Sequence, residues 1–345
     1  MSFNKEKKGS YGRNLLLMLL LTAITFAVIL SGNDMENLIQ ALKTSRFMWL
    51  LAGFVCMFIF VSCEAVNMYQ ISHSLKQPLP LSRCEQYAFI GFYFSSITPS
   101  ASGGQPVQMY YMKKDNISLA DSSVMILFIV LVYQLAMLMF AGITALLHPG
   151  LAVRTAGHLK YLLPFGLIMN GGAAALMALF LTSEKIVQNL LLLLLRTGAR
   201  LHLVKHPRES REHWLKEIRR YQRSASVIRQ KPLLFIRVLM ASLLQMAALS
   251  SVPYCVYRAL GYSALRPGEL MTCQSILTLS ASAMPTPGAV GAAEGGFLFA
   301  FKDIFDAENI KTAMLLSRGI SLYIFLIISF CVCMTVHIRT SQSKI

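Results

Sequence analysis

Charge is scarce in this chain. Only 14% of its 345 residues are charged, whereas 55% are hydrophobic, and the mean hydropathy is +0.55. A soluble protein of this length would not contain so many apolar runs long enough to cross a bilayer, which takes about 20 residues. The composition therefore excludes an ordinary soluble protein. It predicts an all-α polytopic membrane protein with one integral domain, residues 1–345.

Sequence motifs for metal, nucleotide and hydrolytic chemistry are also missing. The seven cysteines form no C-x-x-C pair, and no histidine lies at ligand spacing from them. The chain has no P-loop, no G-x-S-x-G and no H-E-x-x-H pattern. We therefore expect no metal, no cofactor and no catalytic residue, and we interpret the cysteines as buried thiols.

Acidic residues are few, with 16 Asp and Glu against 32 Lys and Arg. Residues 185–231 hold twelve Lys or Arg and three Glu, which is +9 of the net charge of +16. Because apolar segments flank this stretch, we interpret it as a basic cytoplasmic segment on anionic headgroups, and we expect no nucleic-acid partner. Within it, Trp214, Ile218 and Tyr221 recur at helical spacing and predict an amphipathic helix in the membrane interface.

Six full spans are predicted by the apolar runs together with the positive-inside rule, with both termini in the cytoplasm. We expect them at residues 15–31, 47–69, 120–147, 162–182, 235–260 and 312–337. The basic residues before residue 15 also fit a signal peptide. No small-residue cleavage site follows cleanly before Asp34, so the first span is expected to be uncleaved.

Two Gly/Pro-rich passages interrupt the apolar sequence, at residues 98–106 and 285–296. Proline removes a backbone donor and glycine relaxes the helix, so neither passage can be an ordinary spanning helix. The apolar stretches before them, residues 86–97 and 269–283, are short. We predict two re-entrant helix pairs. The first enters from the cytoplasm and returns to Lys113 and Lys114, and the second enters from outside and returns through residues 297–305.

This path predicts an inverted-topology repeat, with one half at residues 47–147 and the other at residues 232–338. Each half contains a span, a re-entrant pair and a span, in the same order and in opposite orientations. We base this symmetry on the order of elements, because the two halves share little beyond their richness in Gly, Pro and Ser. In such repeats the substrate site lies at the repeat interface near the bilayer midplane.

Three charged residues inside the predicted membrane segments are candidates for substrate binding. Glu64 and Glu294 are expensive to ionise there, so each needs a partner or water. They either meet the ammonium groups of a lipid headgroup or form structural ion pairs, for instance Glu294 with Arg318. Arg318 either holds a lipid phosphodiester through its planar guanidinium or snorkels to the outer interface. We interpret Arg237 as an interface anchor.

The polar side chains and amides of the two breaks complete the candidate site. At the first break they offer neutral donors beside a half-helix end, which attracts anions, although they also serve to satisfy the broken backbone. At the second break, small residues permit close helix packing as well as binding. The candidates are Ser100, Ser102, Gly103, Gly104, Gln105, Gln108, Pro287 and Gly288.

With both breaks in view, the chain resembles the membrane domain of the lysylphosphatidylglycerol synthase/flippase family, as a stand-alone member. The motifs that carry the resemblance are I-T-P-S-A-S-G-G-Q-P-V-Q at residues 97–108 and P-T-P-G-A-V-G-A-A-E-G at residues 285–295, together with Arg318. The resemblance covers nearly the whole chain. It implies handling of aminoacylated, typically lysylated, phosphatidylglycerol in the bacterial plasma membrane.

The resemblance implies movement of this lipid between leaflets, which lowers the affinity of the cell for cationic antimicrobial peptides. Anionic or aminoacylated phospholipids are then the partners, and a separate lipid synthase and a homo-oligomer stay open. The alternative is a phosphatidylglycerol lysyltransferase that takes lysine from lysyl-tRNA. We expect no soluble transferase domain, because the sequence ends a few residues past the last predicted span, and so we prefer the translocase.

Overall fold

The computed structural model describes residues 45–183 and 207–342, together with Gln40 and Lys43; side chains are described up to residue 183 and again over residues 216–339. All of the regular elements in this part of the chain are helices. In chain order they are α1 (Phe47–Ser74), α2 (Leu81–Ile97), α3 (Gly104–Lys114), α4 (Leu119–Leu147), α5 (Pro149–His158), α6 (Leu162–Thr182), α7 (Pro207–Arg229), α8 (Pro232–Ala259), α9 (Pro267–Ala281), α10 (Ala292–Ala300), α11 (Ile310–Arg318) and α12 (Ile324–Gln342).

Five stretches of helix among the described residues are long and apolar enough to cross a membrane. They are α1, α4, α6, α8 and the continuous stretch Ile310–Arg339, in which a π-helical turn, Gly319–Tyr323, joins α11 to α12. They coincide with five of the six predicted spans. The prediction of an all-α polytopic membrane protein is confirmed, while the span predicted at residues 15–31 and the apolar stretch 186–195 lie outside the described residues.

Helices α1 and α8 pack antiparallel along their whole length. At one end the amide of Arg46 donates to Ala259 O at 3.0 Å, and at the other end Lys231 Nζ donates to Ser74 O at 2.9 Å. Between these contacts, Asn67 Nδ2 donates to Ser242 Oγ at 3.1 Å, with both residues fully buried. The C-terminal end of each helix therefore lies beside the N-terminal end of the other.

The first break folds α2 and α3 into an antiparallel hairpin, hairpin A (residues 81–114). Arg83 Nε, in the first turn of α2, lies 2.9 Å from an oxygen of Asp115, which directly follows α3. Tyr87 also donates to the Asp115 carboxylate. These contacts hold the two outer ends of the hairpin together, so the chain leaves on the side from which it enters.

The second break folds α9 and α10 into a corresponding hairpin, hairpin B (residues 267–300). At its base Tyr262 Oη donates to Asp306 Oδ2 at 2.6 Å. Burial, reinforced by this hydrogen bond, raises the pKa of the Tyr262 phenol. Within the hairpin, a Cβ on Gly296 would lie 2.5 Å from Leu277 Cδ1, so glycine permits this close packing. The returning helix begins at Ala292, several residues before the stretch predicted to carry it.

The tips of the two hairpins contact each other. Hairpin A follows the C-terminal end of α1, and hairpin B follows that of α8. Because α1 and α8 are antiparallel, the bases of the hairpins lie at opposite ends of the molecule. At the junction a Cβ on Gly288 would come 3.4 Å from Ser96 O, so the backbone of one tip lies against the backbone of the other. The two breaks thus meet inside the bundle.

The basic helix α7 docks onto the beginning of α4 rather than standing apart from the bundle. Asp121, whose side chain is 5% exposed, accepts hydrogen bonds from Arg220 Nε at 2.9 Å and from Ser224 Oγ at 2.6 Å. In return, Glu217 accepts the amide of Ala120 at 3.0 Å, where a helix N-terminus favours a negative charge. The predicted amphipathic pattern is present, but its apolar residue Ile218 is buried against the protein.

Candidate functional site

Both breaks are built from the same four-residue turn, Thr-Pro-x-Ala. Thr98 and Thr286 are extended, with φ/ψ of −112°/147° and −113°/146°. The third residue is left-handed in each, with φ of 51° at Ser100 and 59° at Gly288, and the alanines follow with φ of 53° at Ala101 and 54° at Ala289. Left-handed backbone costs an L-residue about 1–2 kcal/mol, so the surrounding contacts hold this turn in place.

The same backbone hydrogen bonds close both turns. Ala101 N donates to Thr98 O at 3.3 Å, and Ala289 N donates to Thr286 O at 3.1 Å. The residue after each alanine donates to the turn proline, at 3.1 Å in both cases. The two halves were expected to share little beyond their richness in Gly, Pro and Ser. That expectation is wrong, because both contain this tetrapeptide in the same conformation.

Glu294 and Arg318 form a partly buried ion pair beside the second break. Arg318 Nε lies 2.8 Å from Glu294 Oε1, and each side chain is 15% exposed. Arg318 also donates from Nη2 to Gly288 O at 2.7 Å, which ties the last long helix to the tip of hairpin B. Glu294 accepts the amide of Gly291 at 2.5 Å and so caps α10. Arg318 is thus paired with a carboxylate of hairpin B.

A cavity of about 200 Å³ opens beside this ion pair. Its walls come from α1, α2, α8, α9, α10, α11 and the π-helical turn that follows α11, so both halves of the chain contribute. Most of the lining is apolar, including Met57 and Phe92, but Arg318 reaches it. Ser317 also lines it, and the Ser317 hydroxyl is buried without a hydrogen-bond partner among the described residues. The remaining polar lining residues are Gln274, Thr278, Ser282 and Ser321.

Glu64 and Gln108 form a second polar contact, within the first half. Gln108, which is 3% exposed, donates from Nε2 to Glu64 Oε1 at 2.7 Å and to Tyr87 O at 3.1 Å. It thereby joins α1 to both arms of hairpin A. Among the described side chains, no hydrogen bond connects this pair to Glu294 and Arg318. The structure therefore separates the predicted site into two clusters.

The remaining predicted residues of the first break mainly stabilise the turn. Ser102 Oγ donates to Pro99 O at 2.8 Å, and the amide of Gly103 donates to Thr98 Oγ1 at 2.9 Å. Gly104 lies so close to α2 that a Cβ there would be 2.7 Å from Gly91 O. Ser100 is exposed and Gln105 is partly buried. At the second break, Pro287 begins the turn and Gly288 contributes the carbonyl that Arg318 binds.

Sequence reasoning missed the polar residues of α9 that line the cavity, Gln274 and Thr278. Their signal was present: they have serine-rich neighbours and lie about three and two turns before the second break, at helical spacing. It also missed Asp121, a carboxylate near the start of a predicted span that needed a partner. The repeated Thr-Pro-x-Ala tetrapeptide was visible in the sequence as well.

Five long apolar helices, with two broken hairpins meeting beside a partly buried ion pair, define a multi-pass membrane protein whose centre is built from discontinuous helices. The sequence matches the family model described as Lysylphosphatidylglycerol synthase TM region over residues 15–329, and the chain belongs to this family. The family resemblance seen in the two motifs is thereby confirmed. No curated protein matches the sequence. Family membership supports a membrane function related to lysylphosphatidylglycerol.

Proposed function

We propose that the protein moves phosphatidylglycerol, in its aminoacylated and above all lysylated form, between the leaflets of the bacterial plasma membrane. The observation that carries this proposal is the Glu294–Arg318 pair at the edge of a cavity formed by both halves of the chain. A charged headgroup has to cross a region where charge is costly, so a translocase needs fixed polar groups along the path.

The ion pair has donors to spare for a phosphodiester. A guanidinium carries five N–H groups, and only Nε and Nη2 are used in the contacts to Glu294 and Gly288. Glu294, for its part, is an acceptor for the ammonium group of an aminoacyl headgroup. The cavity of about 200 Å³ is too small for a whole phospholipid, so the acyl chains would stay in the surrounding lipid.

An inverted-topology repeat fits this mechanism, and several features support it. Helices α1 and α8 are antiparallel, and the second residue after each of them has left-handed backbone, Lys76 at φ 57° and Gly261 at φ 93°. A hairpin with a Thr-Pro-x-Ala tip follows each of them. Discontinuous helices that meet at a repeat interface are typical of transporter substrate sites.

Leaflet-resolved labelling tests the proposal. Cells that make lysylphosphatidylglycerol are treated with an amine reagent that cannot cross the membrane, and the labelled fraction reports exposure in the outer leaflet. We expect Glu294→Gln and Arg318→Ala to abolish exposure even when it is normalised to the amount of folded protein in the membrane. Glu308→Gln, which removes an exposed carboxylate outside the ion pair, is the matched control and should behave as wild type.

Two results would contradict the proposal in different ways. Unchanged exposure in both variants would remove the site assignment. Lysyl-lipid formed from purified protein, lysyl-tRNA and phosphatidylglycerol would favour the lysyltransferase alternative, because a pure translocase makes no new ester. The lysyl-transfer assay should therefore be run with protein purified from the same cells as those used for leaflet labelling.

A further inference from the structure

A second pocket lies away from the hairpin tips, between the C-terminal end of α1 and the N-terminal end of α8. It has a volume of about 510 Å³, which is within the range of small-molecule sites. Its lining includes His73, Lys231 and Arg237. None of the described residues that line it is acidic, so the pocket is cationic.

The basic groups of this pocket are free to bind an anion. Arg237 is exposed and forms no ion pair with any described residue. Lys231 uses one donor on Ser74 O, and an ammonium carries three. His73 Nδ1 forms a hydrogen bond with Tyr69 O at 2.9 Å, and the other ring nitrogen of His73, Nε2, takes no part in that bond. An arginine fork beside a lysine matches the oxygens of a phosphodiester.

The apolar surface beside the pocket indicates which class of phosphate-bearing molecule would bind there. Leu233, Ile236 and Met240 surround Arg237 on α8 and are 58%, 52% and 60% exposed. Exposed apolar side chains on a spanning helix face acyl chains. A ligand with its phosphate at Arg237 would place its tails on this surface, as a phospholipid does and a free phosphate does not.

We propose that this pocket is a binding site for the headgroup of an anionic phospholipid. Basic pockets between spanning helices bind anionic headgroups in this way. The site is separate from the Glu294–Arg318 cavity and shares no lining residue with it. It would keep an anionic lipid bound beside α1 and α8 whether or not the protein translocates lipid.

Lipid binding by the full chain tests this proposal without any transport measurement. Purified protein in neutral-lipid nanodiscs is titrated with spin-labelled phosphatidylglycerol, and bound lipid is counted by its immobilised signal. We expect Lys231→Gln/Arg237→Gln to weaken binding by about tenfold or more, since two charge-assisted contacts are lost. Lys113→Gln, which removes an exposed lysine on hairpin A, should leave binding unchanged. Thermal unfolding in detergent establishes that each variant is folded.

The outcomes that would overturn this proposal concern the site itself and the source of the phosphate. Equal binding by folded wild type and the double variant would overturn the site. Binding of inorganic phosphate that depends on Lys231 and Arg237, with no competition from the lipid, would overturn its assignment to a lipid.

Discussion

The Glu294–Arg318 pair allows a quantitative test of how the two halves are held together. Both side chains are 15% exposed, and Arg318 bonds Glu294 at 2.8 Å and Gly288 O at 2.7 Å. Removing one partner of such a pair leaves an uncompensated charge in a poorly hydrated site. We therefore expect Glu294→Gln and Arg318→Met each to lower the free energy of unfolding by about 3 kcal/mol.

The double variant separates coupling from simple loss of contacts. If the two charges mainly compensate each other, Glu294→Gln/Arg318→Met should lose about 3 kcal/mol, not the roughly 6 kcal/mol that additivity predicts. Much of the remaining loss would come from Gly288 O, which no longer has its donor. Unfolding by a titration of dodecyl sulfate into detergent micelles, followed by helical circular dichroism, measures all four proteins.

An additive result, with the double variant near 6 kcal/mol, would refute the reasoning, because it would show that the two side chains stabilise the protein independently. The same double variant also bears on function. The double variant should lose less unfolding free energy than the two single variants lose together. We nevertheless expect it to expose no lysyl-lipid, because neither the phosphate nor the ammonium group of the headgroup finds its partner.

Two further predictions concern the packing of the halves. The thiols of Cys56 on α1 and Cys255 on α8 interact across the antiparallel helix pair, so iodine oxidation should link them in a peptide found by mass spectrometry. Cys56→Ser should abolish that peptide and Cys84→Ser should not. Absence of the peptide from the wild-type protein would contradict the antiparallel pairing. A Cβ on Gly104 would meet Ser95 Oγ at 2.1 Å and the backbone of α2, so Gly104→Ala should lower the unfolding free energy by about 1–3 kcal/mol. Gly172→Ala, where a Cβ meets nothing within 4 Å, is the control and should be neutral or stabilising by up to about 1 kcal/mol.

Much of the fold could be predicted from local sequence because its causes are local. Apolar runs of spanning length set α1, α4, α6, α8 and the last helix, since an unpaired peptide group is costly in lipid. Proline and glycine placed the two breaks, because they act on the backbone of their own residues. The helix at Leu162–Thr182 begins and ends at the predicted residues.

The candidate site was predictable in its composition but not in its grouping. Glu294 and Arg318 are 24 residues apart, and Glu64 and Gln108 are 44 apart. Nothing in their spacing indicates that they form two clusters rather than one. The polar residues of the first break were expected to bind substrate and also to satisfy the broken backbone, and Ser102 and Gly103 use their donors on Pro99 and Thr98.

In the basic segment, residues 185–231, the sequence likewise predicted the type of element but not its position. Its charge and amphipathic period predicted a helix, and α7 is there. The period does not indicate what covers the apolar face, and the sequence pointed to the membrane surface. In the structure Ile218 packs against the protein, and Asp121 holds Arg220 and Ser224. The position of α7 is set by Asp121, a buried carboxylate on α4. Asp121 and its partner Arg220 are 99 residues apart in the chain.

The sequence by itself determined that this is a helical membrane protein, where its helices run and where two of them break, because steric limits and lost donors act residue by residue. Tertiary structure alone decided that the two tips meet, that Arg318 binds Gly288 and forms the ion pair with Glu294 that had been one of two alternatives, and that Glu64 lies apart with Gln108. These contacts arise from the antiparallel packing of α1 and α8, which brings distant residues to one place, and no local preference contains that information.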